Sequence, residues 1–232
     1  SIKEKNFRAI KFGWQNFGEN IKSDEEHIIA ARESIGDELH LMIDVGAVWG
    51  TNVEEAEKRN NLFKNSKITW LEEPFYSDAF FEYSELYKKT NLPLAGGESC
   101  HSIESAKNMI RYGKVKFIQI DAGIAGGIIA GKEICDFAEK SDVQYVNHTF
   151  TSHLQLSASL QPYANSSKSI FAEFPQQLKP LAWDLTDNHI NLNENGNINL
   201  PEEIGHGMQI NQKAFEQYKV DVDIYINKEK VF

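Results

Sequence analysis

A polar residue closes each of six successive strand-like segments of this chain. The segments are LHLMIDVG (Asp44), KITWLEEP (Glu72), LPLAGGES (Glu98), KFIQIDAG (Asp121), VQYVNHTF (His148) and SIFAEF (Glu173). They recur about every 25 residues, the length of one strand, one helix and two short loops. That period predicts alternating strands and helices with right-handed crossovers, hence a parallel sheet. If the sheet curls into a barrel, the C-terminal strand ends converge on one face, where such barrels carry their sites. Three carboxylates on that face read as a site for a hard cation, and the Asp and His beyond them as a base.

Apolar, β-branched and aromatic runs predict seven strands, over residues 8–12, 39–44, 68–72, 92–95, 117–121, 144–147 and 169–173. Helices fall between them, over 23–35, 52–64, 79–90, 102–112, 126–140 and 152–164. Ser23 with Glu26 reads as a capping box and Gly36 as a stop. The fold class is therefore a TIM-type (β/α) barrel core over residues 1–174. A C-terminal extension, 175–232, packs back on it. The extension is loop-rich, with a hairpin expected at Asn195-Gly196 and a strand in VDVDIYIN, residues 220–227. A closed barrel needs eight strands, and this chain enters almost at once on FRAIKFG. The expectation is an incomplete barrel with a gap between the Lys11 strand and the Glu173 strand, filled by a segment outside these residues, by another subunit or by VDVDIYIN, or left open.

The formal charge of −10 argues against nucleic acid and anionic membranes as partners. Cys100 and Cys135 show no metal or redox spacing and fit reduced thiols. No signal-like or membrane-spanning run appears, so the cytoplasm is the expected compartment. A homo-oligomer stays open.

Mg²⁺ takes oxygen ligands and keeps positions for substrate or water. Asp44, Glu72 and Glu98 should then place side-chain oxygens about 2.0–2.6 Å from one point. One strand-end carboxylate alone would more often be a loop cap; three in register are not readily explained that way. Glu72 and Glu73 are adjacent, and alternation sends one to the barrel axis and the other toward the helices.

The segments IDVG, WLEEP, GGES, IQIDAGIAGG and VNHTF, with PEEIGHG at 201–207, resemble the enolase superfamily. Within it they are most similar to the mandelate racemase and muconate lactonizing enzyme-like barrels, in particular the acid-sugar dehydratase branch. That superfamily works with a Lys or His base and Mg²⁺ around an enediolate. The resemblance implies Asp44, Glu72 and Glu98 as Mg²⁺ ligands, with the first Glu of the E-E-P motif favouring Glu72. It implies an Asp121–His148 dyad as the base, within roughly 2.6–3.2 Å of each other. It also implies Lys11 for the substrate carboxylate, Glu173 as an acid on the reacting carboxylate, and an N-terminal capping segment that is missing from these residues. His153 competes with His148 as the base. The chain departs from the racemase pattern at one position: the Lys-x-Lys of that strand reads Lys11-Phe12-Gly13. Racemisation needs a base on each face of the planar intermediate, whereas elimination can run with one. The expected activity is a Mg²⁺-dependent lyase eliminating water from a small hydroxy-carboxylate, an acid sugar. Epimerisation, cycloisomerisation and a non-catalytic barrel fragment are the alternatives.

Overall fold

A computed structural model describes residues 6–176, 178–220, 222, 225–227 and 229–230. Six parallel strands form one sheet in the order β1 to β6: Ala9–Gly13, His40–Asp44, Trp70–Glu72, Leu94–Gly96, Phe117–Ile120 and Gln144–Asn147. Helices follow each strand. They are α1 (Ile21–Ile35), α2 (Val53–Lys58), α3 (Asn60–Asn65), α4 (Phe80–Thr90), α5 (Ile103–Asn108), α6 (Ala122–Ala125), α7 (Gly127–Lys140) and α8 (His153–Leu160). Of these, α1 to α7 bridge consecutive strands and α8 follows β6. This is the TIM-like α/β architecture with six ladder-paired strands, so the barrel does not close through its backbone among the described residues.

Strict alternation sorts each strand into two faces. Leu41, Ile43, Leu71, Leu94, Ile118, Ile120 and Tyr145 point to the helices and form the main core. Met42, Trp70, Ala95, Phe117 and Val146, with Ala9 and Phe171 against them, fill the interior of the curled sheet. The residue two positions beyond an interior residue returns to the interior face. Lys11 follows Ala9, Asp44 follows Met42, Glu72 follows Trp70, and His148 follows Val146. The register pairs Gly13 with Asp44 and Asp44 with Glu72, while Lys11 pairs with Met42, one interior step below them, and reaches up to the carboxylates.

Several expectations change in detail. Helix α1 is capped by Asn20, whose side chain accepts from the N–H groups of Lys22 and Ser23, so the box at Ser23 does not start it. The neighbouring Asp24 is buried and takes the Arg59 guanidinium at 2.7 Å. Arg59 also breaks the 52–64 helix in two.

The expected strand 169–173 is not a ladder strand. It runs beside β6, but side chains stand between the two backbones. The Tyr163 hydroxyl donates to Phe171 O at 2.7 Å and accepts from Asn147 N–H at 2.9 Å. The Asn147 amide bonds both Glu173 N and Glu173 O, at 3.0 and 3.1 Å. Ser169 Oγ accepts from Tyr145 N–H. Interior parity survives, so Phe171 and Glu173 still face inward.

In the extension, the Asn195-Gly196 hairpin forms, with Leu192 bridging Ile198. Ile190, Ile198, Leu200 and Met208 cover Leu156 and Leu160 of α8. Of VDVDIYIN, Tyr225–Ile226 pairs antiparallel with Glu229–Lys230 in a separate two-stranded sheet and does not join the barrel. Residues 221, 223 and 224 lie outside the described set.

Candidate active site

The interior layer at the strand C-termini gathers Lys11, Asp44, Glu72, Glu98, Asp121, His148 and Glu173 into two linked groups. In the first, the Lys11 ammonium bridges Glu72 and Glu173, each at 2.5 Å, and lies 3.7 Å from Asp44. Burial alone would lower the Lys11 pKa. The carboxylates of Glu173, Glu72 and Asp44 outweigh it and hold the ammonium well above its ordinary value. Glu72 is fully buried, and that burial raises its carboxyl in spite of Lys11. Its second oxygen accepts from Trp70 Nε1 at 2.9 Å. Glu173 is also bonded by the Gln119 amide at 3.2 Å.

In the second group, His148 lies between two carboxylates. Its Nδ1 faces Asp121 Oδ2 at 3.4 Å and its Nε2 faces Glu98 Oε2 at 3.2 Å. The dyad contact is longer than the 2.6–3.2 Å expected. Burial lowers the imidazole pKa, but Asp121 and Glu98 outweigh it and the net shift is upward. Burial likewise raises Glu98.

Glu72 shares the interior face with Trp70, so alternation answers which of the adjacent pair lies on the axis side. Glu73 follows the strand at φ 40°. Its Oε1 is buried and unbonded among the described residues. Burial, then the charges of Glu98 and Asp44, raise its carboxyl to about 8.

The three expected metal ligands are neighbours but their side chains do not converge. Asp44 Oδ1 accepts from Gly46 N–H, Glu72 is engaged by Lys11 and Trp70, and Glu98 turns to His148. Among the described residues no group of three or more His, Cys, Asp or Glu side chains stands in ligand geometry. The donor chemistry nevertheless suits a hard divalent cation. It is all oxygen and partly buried, and its charge is offset in part by the Lys11 ammonium on Glu72 and Asp44.

His153 does not compete as the base. It is buried under the extension, with Nδ1 accepting from Ile190 N–H at 3.2 Å and its ring against Trp183 and His189.

Gly13 fixes the departure from Lys-x-Lys in the backbone. Its φ is +123°, and a Cβ there would stand 2.1 Å from the Asp44 carbonyl oxygen. No lysine side chain fits at this position. The next residue, Trp14, donates its N–H to the same carbonyl and lays its indole over Gly46.

A family model described as enolase C-terminal domain-like matches residues 1–214. The chain belongs to this family. Among curated relatives, the D-galactarolactone cycloisomerase of Agrobacterium fabrum is 28% identical over 92% of this chain and 57% of its own. The L-talarate/galactarate dehydratase of Salmonella typhimurium is 29% identical over 73% of this chain and 42% of its own. The chain thus spans about half the length of these relatives. Among solved structures, one described as a predicted mandelate racemase from Rhodobacter sphaeroides superposes with a TM-score of 0.91. It is 39% identical, covering 99% of this chain and 59% of its own. The 3,6-anhydro-D-galactonate cycloisomerase of Zobellia galactanivorans gives 0.84 at 28% identity, covering 94% and 60%.

Sequence reasoning missed Gln119, Gln155 and Trp70 as partners of the site. Gln119 was legible, since it stands two residues before Asp121 on the same strand face. Nothing local marked Gln155. No helix among the described residues is long and apolar enough to cross a membrane.

Proposed function

We propose that this chain carries the chemical half of a lyase that eliminates water from an acid sugar by removing the proton α to its carboxylate. The observation that carries the reading is His148, held between Asp121 and Glu98 on a mouth whose opposite base position is closed by Gly13. One general base with no partner across the intermediate suits elimination better than racemisation.

Lys11 would bind the substrate carboxylate, exchanging Glu72 or Glu173 for it. Asp44, Glu72 and Glu98 would hold Mg²⁺, which when bound would supply positive charge beside the substrate oxygens. His148 Nε2 would take the α-proton, with Asp121 on Nδ1 stabilising the resulting imidazolium. Lys11 would offset charge on the enediolate oxygens, and Glu173 would act as an acid donating a hydrogen bond to them. The β-hydroxyl would leave as water with the proton returned from His148, and the enol would tautomerise to a 2-keto-3-deoxy acid. The kinship with an acid-sugar dehydratase and two acid-sugar cycloisomerases supports this substrate class.

The test is a screen of hexonates, pentonates and sugar diacids for keto-acid formation and for α-proton exchange in deuterated water. His148→Asn should retain Mg²⁺ binding and lose exchange. Undiminished exchange in that variant would remove His148 from the mechanism.

A further inference from the structure

The Asp121 carboxylate is held from the side opposite His148. Its Oδ1 accepts the Gly123 N–H at 2.8 Å and the Gln155 side-chain amide, while Oδ2 alone faces His148 Nδ1. Gln155 reaches this point from the first turn of α8. The Ser152 side chain caps that helix by accepting from Gln155 N–H. The approach depends on Gly123. A Cβ at that residue would lie 2.7 Å from Gln155 Nε2 and 2.8 Å from Oε1. The amide therefore lies directly over a helical residue that has no side chain.

We infer that Gln155 is a positioning residue for the base: with Gly123 N–H it pins Asp121 Oδ1, so that Oδ2 receives the Nδ1–H of His148 and Nε2, which faces Glu98, is the nitrogen that accepts the substrate proton. This rests on the proposed assignment of Asp121–His148 as the base. A carboxylate with one donor on Oδ1 can swing about its terminal torsion, which is broad. Two donors from separate elements fix its plane. At 3.4 Å the dyad contact is long, so it cannot by itself fix that orientation. A ring nitrogen's proton is set by what the other atom of the pair accepts. If Asp121 turns, His148 loses its preference for the Nδ1–H tautomer, and Nε2 carries the proton instead of accepting one.

Two variants remove the contact differently. Gln155→Met keeps length and volume but has no amide. Gly123→Ala leaves Gln155 intact and displaces its head with a methyl, while the backbone N–H at position 123 can still serve Asp121. Histidine ¹⁵N labelling with long-range proton–nitrogen correlation at alkaline pH reports the tautomer directly, with the His148 signal assigned by its loss in His148→Asn. The wild-type ring should be the Nδ1–H tautomer, and both variants should shift it toward Nε2–H. The kcat for α-proton exchange should fall about 10- to 100-fold in both, with KM nearly unchanged. In an Asp121→Asn background, Gln155→Met should cost nothing further, a non-additivity that a general loss of packing would not produce. An unchanged tautomer in both variants overturns the inference. So does a Gln155→Met effect on kcat that is undiminished when Asp121 is already Asn. If no acid sugar exchanges its proton on the wild-type protein, the functional reading falls, and the tautomer measurement still decides the role of Gln155.

Discussion

Replacing His153 should flatten the acid limb of this protein's stability. The ring is 1% exposed, under the extension and against Trp183 and His189. Because Nδ1 accepts from Ile190 N–H, the proton of the neutral ring sits on Nε2, which has no partner among the described residues. A second proton would have to displace the Ile190 bond inside an apolar setting. Burial, with His189 adding to it, accordingly lowers the pKa from 6.5 to about 4. The unfolded chain titrates near 6.5 and the folded chain near 4, so the unfolded state binds more protons between these values. Stability is therefore unaffected by this group above 6.5 and falls as pH drops toward 4. Each tenfold difference in proton affinity between the two states is worth about 1.36 kcal/mol, so the loss reaches about 3 kcal/mol. His153→Gln keeps a carbonyl that can accept from Ile190 but does not titrate. Urea unfolding followed by circular dichroism, between about pH 7.5 and about pH 4, gives both curves. The wild type should lose about 3 kcal/mol relative to the variant across that range. Parallel curves would refute the buried neutral ring.

Other outcomes follow from the same geometry. Asp24→Ala removes the buried carboxylate from Arg59 Nε, leaving the guanidinium to Glu55 and the Gly18 carbonyl, and should cost about 1–3 kcal/mol in urea unfolding. Lys11→Met should raise KM for an acid sugar about 10- to 100-fold by removing one charge-assisted bond to its carboxylate, measured by steady-state kinetics. The upward shift of His148 makes its neutral, base-competent form accumulate only above pH 6.5, so kcat/KM should rise with pH through an apparent pKa above that value. Asp121→Asn, which removes a group holding it up, should move that limb to lower pH. Glu98→Gln should weaken Mg²⁺ binding in a calorimetric titration by at least tenfold; unchanged affinity would remove Glu98 from the ligand set.

The repeating unit, the parallel order of the strands and the face on which the polar residues lie can all be read from the residues in order. These follow from local rules. An alternating strand with an apolar residue two positions before a polar one sends both to the same face, and right-handed crossovers then stack those faces side by side. Glu72 beside Trp70 and His148 beside Val146 needed nothing more. The absence of a second lysine was equally legible, though not its cause: the φ of Gly13 and the Asp44 carbonyl oxygen close behind it belong to the packing of β1 on β2. Tertiary structure alone decided the rest. SIFAEF reads as a strand, yet Tyr163 and Asn147 occupy the bonds a ladder would use, and neither residue is local to it. The sequence places His148 at a strand end and His153 just beyond it, but that His153 is buried under the extension folding over α8 is decided only by packing. Gln155 reaches Asp121 from another strand–helix unit, across a gap that exists because Gly123 has no side chain. Periodicity specifies which face a residue takes. Which side chains meet across separate units depends on how those units pack, and no local pattern encodes that.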